Sequence, residues 1–325
     1  MIFDILCAVG GAALVLKGAD LLTDGSVALA RRFSIPEMVI GLTVVAFGTS
    51  LPEFVVSLLS SLNGAADMGI GNVVGSNIFN TLMIVGVTAA ISPIAVQKST
   101  ISKDIPFSLL ASVVLIALAL DGVFSVSGSR NLLDRGDGIV LLGFFVVFMA
   151  YTFAIARPAQ KQEETGPADP TAAVETMAGW KITLFILLGL AGLIGGGELF
   201  VHGATGIARG LGVSEAVIGL TLVAGGTSLP ELATSIIAAR KGQSGMAIGN
   251  VIGSNLFNIF WILGACSCIA PLPVQDITPV DFGMLLFSGL IFWFFARTQH
   301  RILRWEGICL IALYIAYLCL IFAPS

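Results

Sequence analysis

Long apolar runs alternate with short polar stretches along the whole chain. Ten runs are long enough to cross a bilayer as helices, because about 20 apolar residues span a hydrocarbon core. Their approximate bounds are residues 2–22, 36–62, 68–93, 105–121, 137–156, 180–203, 214–239, 245–271, 280–297 and 302–322. The pattern predicts an all-α polytopic membrane protein with ten transmembrane helices.

A polar stretch between the fifth and sixth runs divides the chain into two halves of five runs each. Residues 157–179 are rich in Glu, Pro, Thr and Ala, a composition that cannot bury a core. We therefore predict a first five-helix repeat at 1–156, a cytoplasmic linker at 157–179 and a second five-helix repeat at 180–325.

The two halves share sequence at a constant offset of 178 residues. The sequence G-T-S-L-P-E at 48–53 recurs at 226–231. G-N-V-V-G-S-N-I-F-N at 71–80 recurs at 249–258 as G-N-V-I-G-S-N-L-F-N. An ungapped offset across two spans and their loop indicates an internal duplication.

The basic residues predict the orientation, because cytoplasmic loops carry an excess of Lys and Arg. With the N-terminus outside, one side of the membrane keeps only Arg130, Arg135 and Arg209. The other side holds Arg31, Arg32, Lys98, Lys103, Arg157, Lys161, Lys181, Arg240, Lys241, Arg297, Arg301 and Arg304. Both termini are therefore expected outside. Since each half has an odd number of spans, the second half is inverted, which is typical of secondary transporters with a binding site at the repeat interface.

The composition supports a membrane protein and excludes several other classes. Hydrophobic residues make up 56% of the chain and charged residues 11%, with a mean hydropathy of +0.98. Soluble domains carry about 25% charged residues. The five cysteines lack the spacing of a zinc site and are expected as buried thiols. We expect no cofactor, no enzymatic activity and no nucleic-acid partner.

Each G-T-S-L-P-E copy brings a carboxylate, Glu53 or Glu231, to membrane depth. An ionisable group at that depth is costly and points to a functional site. Pro52 lacks an N–H and clashes with the carbonyl of Gly48, so the helix is predicted to break there, and Pro230 acts on Gly226 in the same way. The breaks free backbone carbonyls near Ala46 and Ala224, and buried carbonyls need partners.

Further oxygen donors surround both acids in the sequence. Carboxylate, amide, hydroxyl and carbonyl oxygens together suit hard cations. Two ionised acids would carry a charge that neutralises one Ca²⁺ or two Na⁺, as an exchanger needs. The side-chain donors beside the acids are Thr49, Ser50, Ser76, Asn80, Thr227, Ser228, Ser254 and Asn258.

The duplicated motifs resemble the alpha-repeats of the cation/calcium exchanger superfamily, in its sodium/calcium exchanger branch of prokaryotic type. The resemblance implies antiport of Na⁺ and Ca²⁺ by alternating access, with Glu53 and Glu231 as the central ligands. It assigns Thr49, Ser50, Ser76 and the Ala46 carbonyl to one side of the centre. Thr227, Ser228, Ser254 and the Ala224 carbonyl take the other side, and Asn80 and Asn258 line the middle.

Two features bear on the coupling ion. Some members of the resembled superfamily carry an acid where this chain has Asn258, and this difference argues against K⁺ dependence. The proton-coupled members carry an acid where this chain has Gly75 and Gly253, and this difference argues against H⁺ coupling. The alternative prediction is exchange of Ca²⁺, or another divalent cation, coupled to H⁺ or K⁺. A structural role for the buried acids, interhelical hydrogen bonds of Asn80 and Asn258, an intramembrane hydrolase and a passive channel also stay open.

The expected location is the cell (inner) membrane, as a multi-pass protein in contact with the lipid bilayer. The chain is expected to function as a monomer.

Overall fold

The computed structural model describes residues 1–63, 66–120, 131–163, 177–212, 224–275 and 277–321. The helices, in chain order, are α1 (Ile2–Arg32), α2 (Glu37–Thr49), α3 (Leu51–Leu62), α4 (Ala66–Phe79, continued by Asn80–Ile84 and Val85–Ile91), α5 (Thr100–Ala119), α6 (Arg135–Glu163), α7 (Gly179–Gly210), α8 (Ala224–Gly226), α9 (Leu229–Arg240), α10 (Ser244–Ile269), α11 (Pro279–Gln299) and α12 (Arg304–Ile321). The two-residue strands are β1 (Ile94–Ala95), β2 (Leu132–Leu133), β3 (Leu272–Pro273) and β4 (Arg301–Ile302).

The predicted all-α membrane class is confirmed. Eight described helices are long and apolar enough to cross a membrane, and α2 with α3 adds a ninth if the pair is one broken span. The predicted seventh span, 214–239, falls partly on residues 213–223, which lie outside the described part of the chain. The predicted linker lies outside it at 164–176, and α6 runs on to Glu163.

The chain forms two compact units. The first unit comprises Met1–Thr49 and Val147–Asn250, and the second comprises Ser50–Val146 and Val251–Ser325. Each unit therefore contains segments from both halves of the sequence.

In the first unit, α1 packs closely along α7. Glycines make this possible: a Cβ on Gly18 would lie 2.7 Å from the backbone N of Leu193, and one on Gly189 would lie 2.6 Å from that of Leu22. Small residues let helix backbones approach in this way within a bilayer. Leu22 and Leu193 are fully buried in the core that results.

An ionic cluster ties α1 to the end of α9 in the same unit. Lys241 lies just beyond α9, and its Nζ is 2.5 Å from Asp20 Oδ1 and 2.6 Å from Asp24 Oδ1. Lys17 approaches Asp20 Oδ2 at 3.0 Å. Burial alone would lower the pKa of Lys241, but the two carboxylates outweigh it and raise that pKa.

In the second unit, two short antiparallel ribbons each join the two halves of the sequence. β1 pairs with β4, with Ile94 opposite Ile302, and β2 pairs with β3, with Leu133 opposite Leu272. Glycine contacts also repeat in this unit. A Cβ on Gly86 would lie 2.9 Å from the Gly307 carbonyl oxygen, and one on Gly138 would lie 2.8 Å from that of Gly264.

Candidate functional site

The first G-T-S-L-P-E copy interrupts its helix, as predicted. Helix α2 ends at Thr49, and Ser50 has non-helical dihedral angles (φ −84°, ψ 6°) before α3 begins at Leu51. Pro52 stands in the first turn of α3, where its missing N–H costs nothing. The Ala46 carbonyl accepts a bond from the Thr49 hydroxyl at 3.4 Å.

The second copy has the same local form. Helix α8 ends at Gly226, Ser228 has dihedral angles of φ −91° and ψ 8°, and α9 begins at Leu229 with Pro230 in its first turn. The proline therefore creates the same break in both halves. Of Ala224, the structure describes only the backbone at the start of α8.

Both acids lie in the first turn of a helix and are almost completely buried. Glu53 in α3 and Glu231 in α9 each expose 1% of their surface. A helix N-terminus carries a partial positive charge that favours a carboxylate nearby. The helix start thus offsets part of the cost of burying each carboxylate.

An asparagine from the following helix supports the backbone at Glu53. The Asn72 side-chain amide donates to the Glu53 carbonyl at 3.3 Å and to the Ser57 hydroxyl at 3.1 Å. We call Asn72 and Ser57, with the Glu53 backbone, the Glu53 frame. It fixes the first turn of α3 against α4 within the second unit.

The first unit contains the equivalent Glu231 frame. Asn250 donates to the Glu231 carbonyl at 3.3 Å and to the Ser235 hydroxyl at 3.1 Å. Its side-chain oxygen also accepts from the Thr49 hydroxyl at 3.2 Å. Asn250 thus links a hydroxyl of the first motif to the backbone of the acid in the second.

Four asparagines in the second unit form a crossed pair of hydrogen bonds between α4 and α10. The Asn80 amide donates to Asn255 Oδ1 at 3.1 Å, and the Asn258 amide donates to Asn77 Oδ1 at 3.0 Å. Asn77 also donates to the Asn255 carbonyl, and Asn255 donates to the Thr81 hydroxyl. We call Asn77, Asn80, Asn255 and Asn258 the asparagine lattice.

The lattice leaves polar oxygen atoms with unmet bonding capacity. The side-chain oxygens of Asn80, Asn258 and Ser254 are buried and have no hydrogen-bond partner within the described residues. Buried polar atoms are nearly always hydrogen-bonded in proteins, so these oxygens are available to an ion or a water molecule. Asn80 and Asn258 also lie in π-helical turns, a feature frequent at functional sites.

These donors fit hard cations. Amide and hydroxyl oxygens with carboxylates are the ligands that Ca²⁺ prefers in proteins. Within the described residues no group of three or more His, Cys, Asp or Glu comes together. The donors available to an ion are therefore neutral oxygens with isolated carboxylates rather than soft ligands.

The predicted site residues divide between the units. The first unit holds Ala46, Thr49, Ala224, Thr227, Ser228 and Glu231, and the second holds Ser50, Glu53, Ser76, Asn80, Ser254 and Asn258. Thr227 is half-buried, and the others whose side chains are described are buried.

Six supporting residues lie outside the predicted set of ion ligands: Ser57, Asn72, Asn77, Ser235, Asn250 and Asn255. All six are duplicated at the same 178-residue offset. That repetition was a signal in the sequence that polar residues outside the direct donor set also matter.

The family comparison decides the class of protein. A family model described as "Sodium/calcium exchanger protein" matches residues 3–154 and 181–323. The chain belongs to this family. The predicted resemblance is thereby confirmed, and the two matched segments leave out the whole of the predicted linker, 157–179.

Relatives of this exchanger have similar length. The sodium/calcium exchanger MaX1 of Methanosarcina acetivorans is 33% identical, covering 96% of this chain and 96% of that protein. The inner membrane protein YrbG of Escherichia coli is 36% identical, covering 96% of this chain and 94% of that protein. Both matches extend over nearly the whole of each protein.

A solved structure of the sodium-calcium exchanger NCX_Mj resembles this exchanger over its full length. The TM-score is 0.78 at 35% identity, covering 100% of each chain. Family and structure together support exchange of Ca²⁺ against another cation by a multi-pass membrane protein. The chain is therefore a transporter and not an enzyme, and an intramembrane hydrolase is excluded.

Proposed function

We propose that this exchanger moves Ca²⁺ across the membrane against Na⁺ by alternating access, with Glu53 and Glu231 as the central ligands. Both carboxylates are buried at helix starts that repeated hydrogen-bond frames support. A purely structural pair would be a costly use of two acids at membrane depth.

The observation that carries the proposal is the set of buried oxygens without partners on Asn80, Asn258 and Ser254. The side-chain nitrogens of Asn80 and Asn258 donate to the side-chain oxygens of Asn255 and Asn77. These bonds fix the orientation of both amides, so that the oxygens of Asn80 and Asn258 face away from the lattice. Interhelical bonding and ion binding are thus not alternatives for Asn80 and Asn258, because the nitrogen serves the first and the oxygen is left for the second.

Charge supplies the coupling in this proposal. Two ionised carboxylates are neutralised by one Ca²⁺ or by two Na⁺, so Ca²⁺ and Na⁺ compete for the same donor oxygens. A form with no ion would keep two desolvated anions, and burying uncompensated charge is strongly unfavourable. The empty form would therefore resist the conformational change, and inward and outward ion movements would be linked.

We further propose the ten-helix, inverted-repeat architecture. The repeated helix breaks, the two ribbons that join the sequence halves and the matching glycine contacts support it. The distribution of basic residues supports an orientation with both termini outside. The short linker and compact loops fit a location in the cell (inner) membrane. We retain the prediction of a functional monomer.

Flux into sealed vesicles tests the coupling ion. Purified protein in vesicles loaded with Na⁺ should take up labelled Ca²⁺ after dilution into Na⁺-free medium, with no change when K⁺ is added. Uptake that follows only a pH gradient, or that requires K⁺, would show that the competing coupling is correct. Ca²⁺ flux without any counter-ion would indicate a channel.

Two single substitutions test which donor oxygens bind Na⁺. Thr49→Ala and Ser254→Ala each remove a neutral oxygen and keep both charges. We expect them to shift the Na⁺ concentration for half-maximal exchange more than the Ca²⁺ concentration. Equal shifts for both ions would contradict a distinct Na⁺ role for these hydroxyls.

A further inference from the structure

Two similar ribbons of the second unit differ in charge. Around the β1–β4 ribbon, five basic side chains are exposed: Lys98, Lys103, Arg297, Arg301 and Arg304. We call this ribbon with its five cations the basic ribbon. Around the β2–β3 ribbon, the charged residues that the structure describes are Asp134, Arg135, Asp137 and Asp281. The basic excess is thus local to one ribbon.

Specific contacts bring the two basic segments together. The Val96 N–H donates to the His300 carbonyl at 2.8 Å, and the Trp293 indole donates to the Ile101 carbonyl at 2.8 Å. Arg304 reaches the Ile91 carbonyl at 3.5 Å. Cations that are about 200 residues apart in sequence therefore share one surface.

Neighbouring acids do not neutralise this surface. None of the five cations forms an ion pair within the described part of the chain. Asp104 is buried, and the Glu306 carboxylate is fully buried and accepts from the Leu303 N–H and the Thr298 hydroxyl. Lys241 in the first unit differs, because two carboxylates contact it. The basic ribbon is left to attract an external anion.

Exposed apolar side chains lie directly beside the cations. Phe294, Trp305 and Ile308 expose 60%, 55% and 59% of their surface and are close in sequence to Arg297 and Arg304. A ring contact between Phe295 and Trp305, with centroids 5.7 Å apart, holds the end of α11 against the start of α12. Charge and apolar surface therefore meet along one edge.

We propose that the basic ribbon binds an anionic phospholipid. The headgroup phosphate would lie among Arg297, Arg301 and Arg304, with Lys98 and Lys103 adding charge, and an acyl chain would cover the apolar edge. Trp and Arg are suited to this boundary, and Arg297 already lies over the Trp293 ring at 4.8 Å. A free anion would use the charge but leave the apolar edge exposed.

A competition experiment tests the proposal. Purified protein in neutral detergent is titrated with fluorescent phosphatidylglycerol and, in parallel, with the phosphatidylcholine analogue. We expect wild type to prefer phosphatidylglycerol, and the triple variant Arg297→Gln, Arg301→Gln, Arg304→Gln to lose at least about tenfold of that preference, because cations at the membrane surface attract anionic headgroups.

Matched variants distinguish an effect of the lost charge from an effect on folding. Replacing the same three arginines with lysine should keep most of the preference, and Arg135→Gln at the β2–β3 ribbon should leave it unchanged. An unchanged preference in the triple Gln variant would overturn the proposal. Displacement of the lipid by equimolar inorganic phosphate would instead identify a free-anion site and would equally overturn the lipid assignment.

Discussion

The Glu53 and Glu231 frames have the same hydrogen bonds but different surroundings. In each, an asparagine bonds to the acid's carbonyl at 3.3 Å and to a serine hydroxyl at 3.1 Å. Asn72 is half-buried, whereas Asn250 is fully buried and also holds Thr49. The hydrogen bonds to the backbone of the two acids thus have the same geometry. The asparagine of the Glu231 frame is more deeply buried and makes one more hydrogen bond.

A second difference lies one turn further along the helices. Thr234 of α9 is fully buried and donates to the Pro230 carbonyl at 2.7 Å, whereas the same position of α3 is the exposed Val56. The hydroxyl is therefore dispensable for a frame of this geometry. The comparison suggests a ranking of importance: the acids, then the asparagines, then the serines, and last the threonine.

The largest expected effect comes from the acids and should be equal in the two frames. Glu53→Gln and Glu231→Gln each remove one of the two charges that balance Ca²⁺ while preserving shape. We expect Ca²⁺ exchange to fall below detection in both variants, with near-normal expression. Labelled Ca²⁺ uptake into Na⁺-loaded vesicles measures it, and clear transport by either variant would break the proposed equivalence.

Substituting the asparagines should affect Ca²⁺ exchange more in the Glu231 frame than in the Glu53 frame. Asn250→Ala removes three buried hydrogen bonds, with the Glu231 carbonyl, the Ser235 hydroxyl and the Thr49 hydroxyl, and a typical hydrogen bond contributes about 1 kcal/mol. We expect the Ca²⁺ concentration for half-maximal exchange to rise about tenfold or more. Asn72→Ala, at a half-buried position, should raise it less. A reversed order would show that burial does not determine the strength of the frame.

The serines should have a smaller effect. Ser235→Ala and Ser57→Ala each remove one acceptor of an asparagine N–H, and a typical hydrogen bond contributes about 1 kcal/mol. We expect the half-saturation for Ca²⁺ to rise roughly fivefold for Ser235→Ala and less for Ser57→Ala. Thermal unfolding in detergent measures the stability of each variant as a control. A transport defect that is fully explained by lost stability would argue that the serines do not position the acids.

The smallest effect is expected at the position where the two copies differ. Thr234→Val gives the second frame the residue that the first one has naturally, and the lost bond is local to α9. Exchange should stay within about twofold of wild type, because the first frame has the same geometry without this bond and a local side-chain bond contributes about 1 kcal/mol or less. A large loss would place Thr234 among the essential groups.

The sequence predicted the features that depend on local geometry. Pro52 and Pro230 break their helices whatever surrounds them, and the duplication showed that the breaks come as a pair. Helix α1 was harder to predict, since it continues past residue 22 to Arg32. Thr23 and Ser26 resemble a polar end in the sequence, yet both are fully buried, and Thr23 bonds back to the Ala19 carbonyl.

Contacts between helices could not be predicted from the pattern. Asn72 and Ser57 belong to different helices, and so do Asn80 and Asn255, so their pairing depends on how the helices are placed and rotated. Hydropathy gives the length of a span but not its rotation. The site oxygens were therefore predictable as a set, while the bonds that orient them were not.

The most direct test of the central claim is equilibrium binding of labelled Ca²⁺ to the purified protein, with and without Na⁺. We predict that wild type binds Ca²⁺, that Na⁺ displaces it, and that Glu53→Gln and Glu231→Gln each lose the binding. Undiminished Ca²⁺ binding in either variant, or binding that Na⁺ does not displace, would contradict a site that depends on both acids and serves both ions.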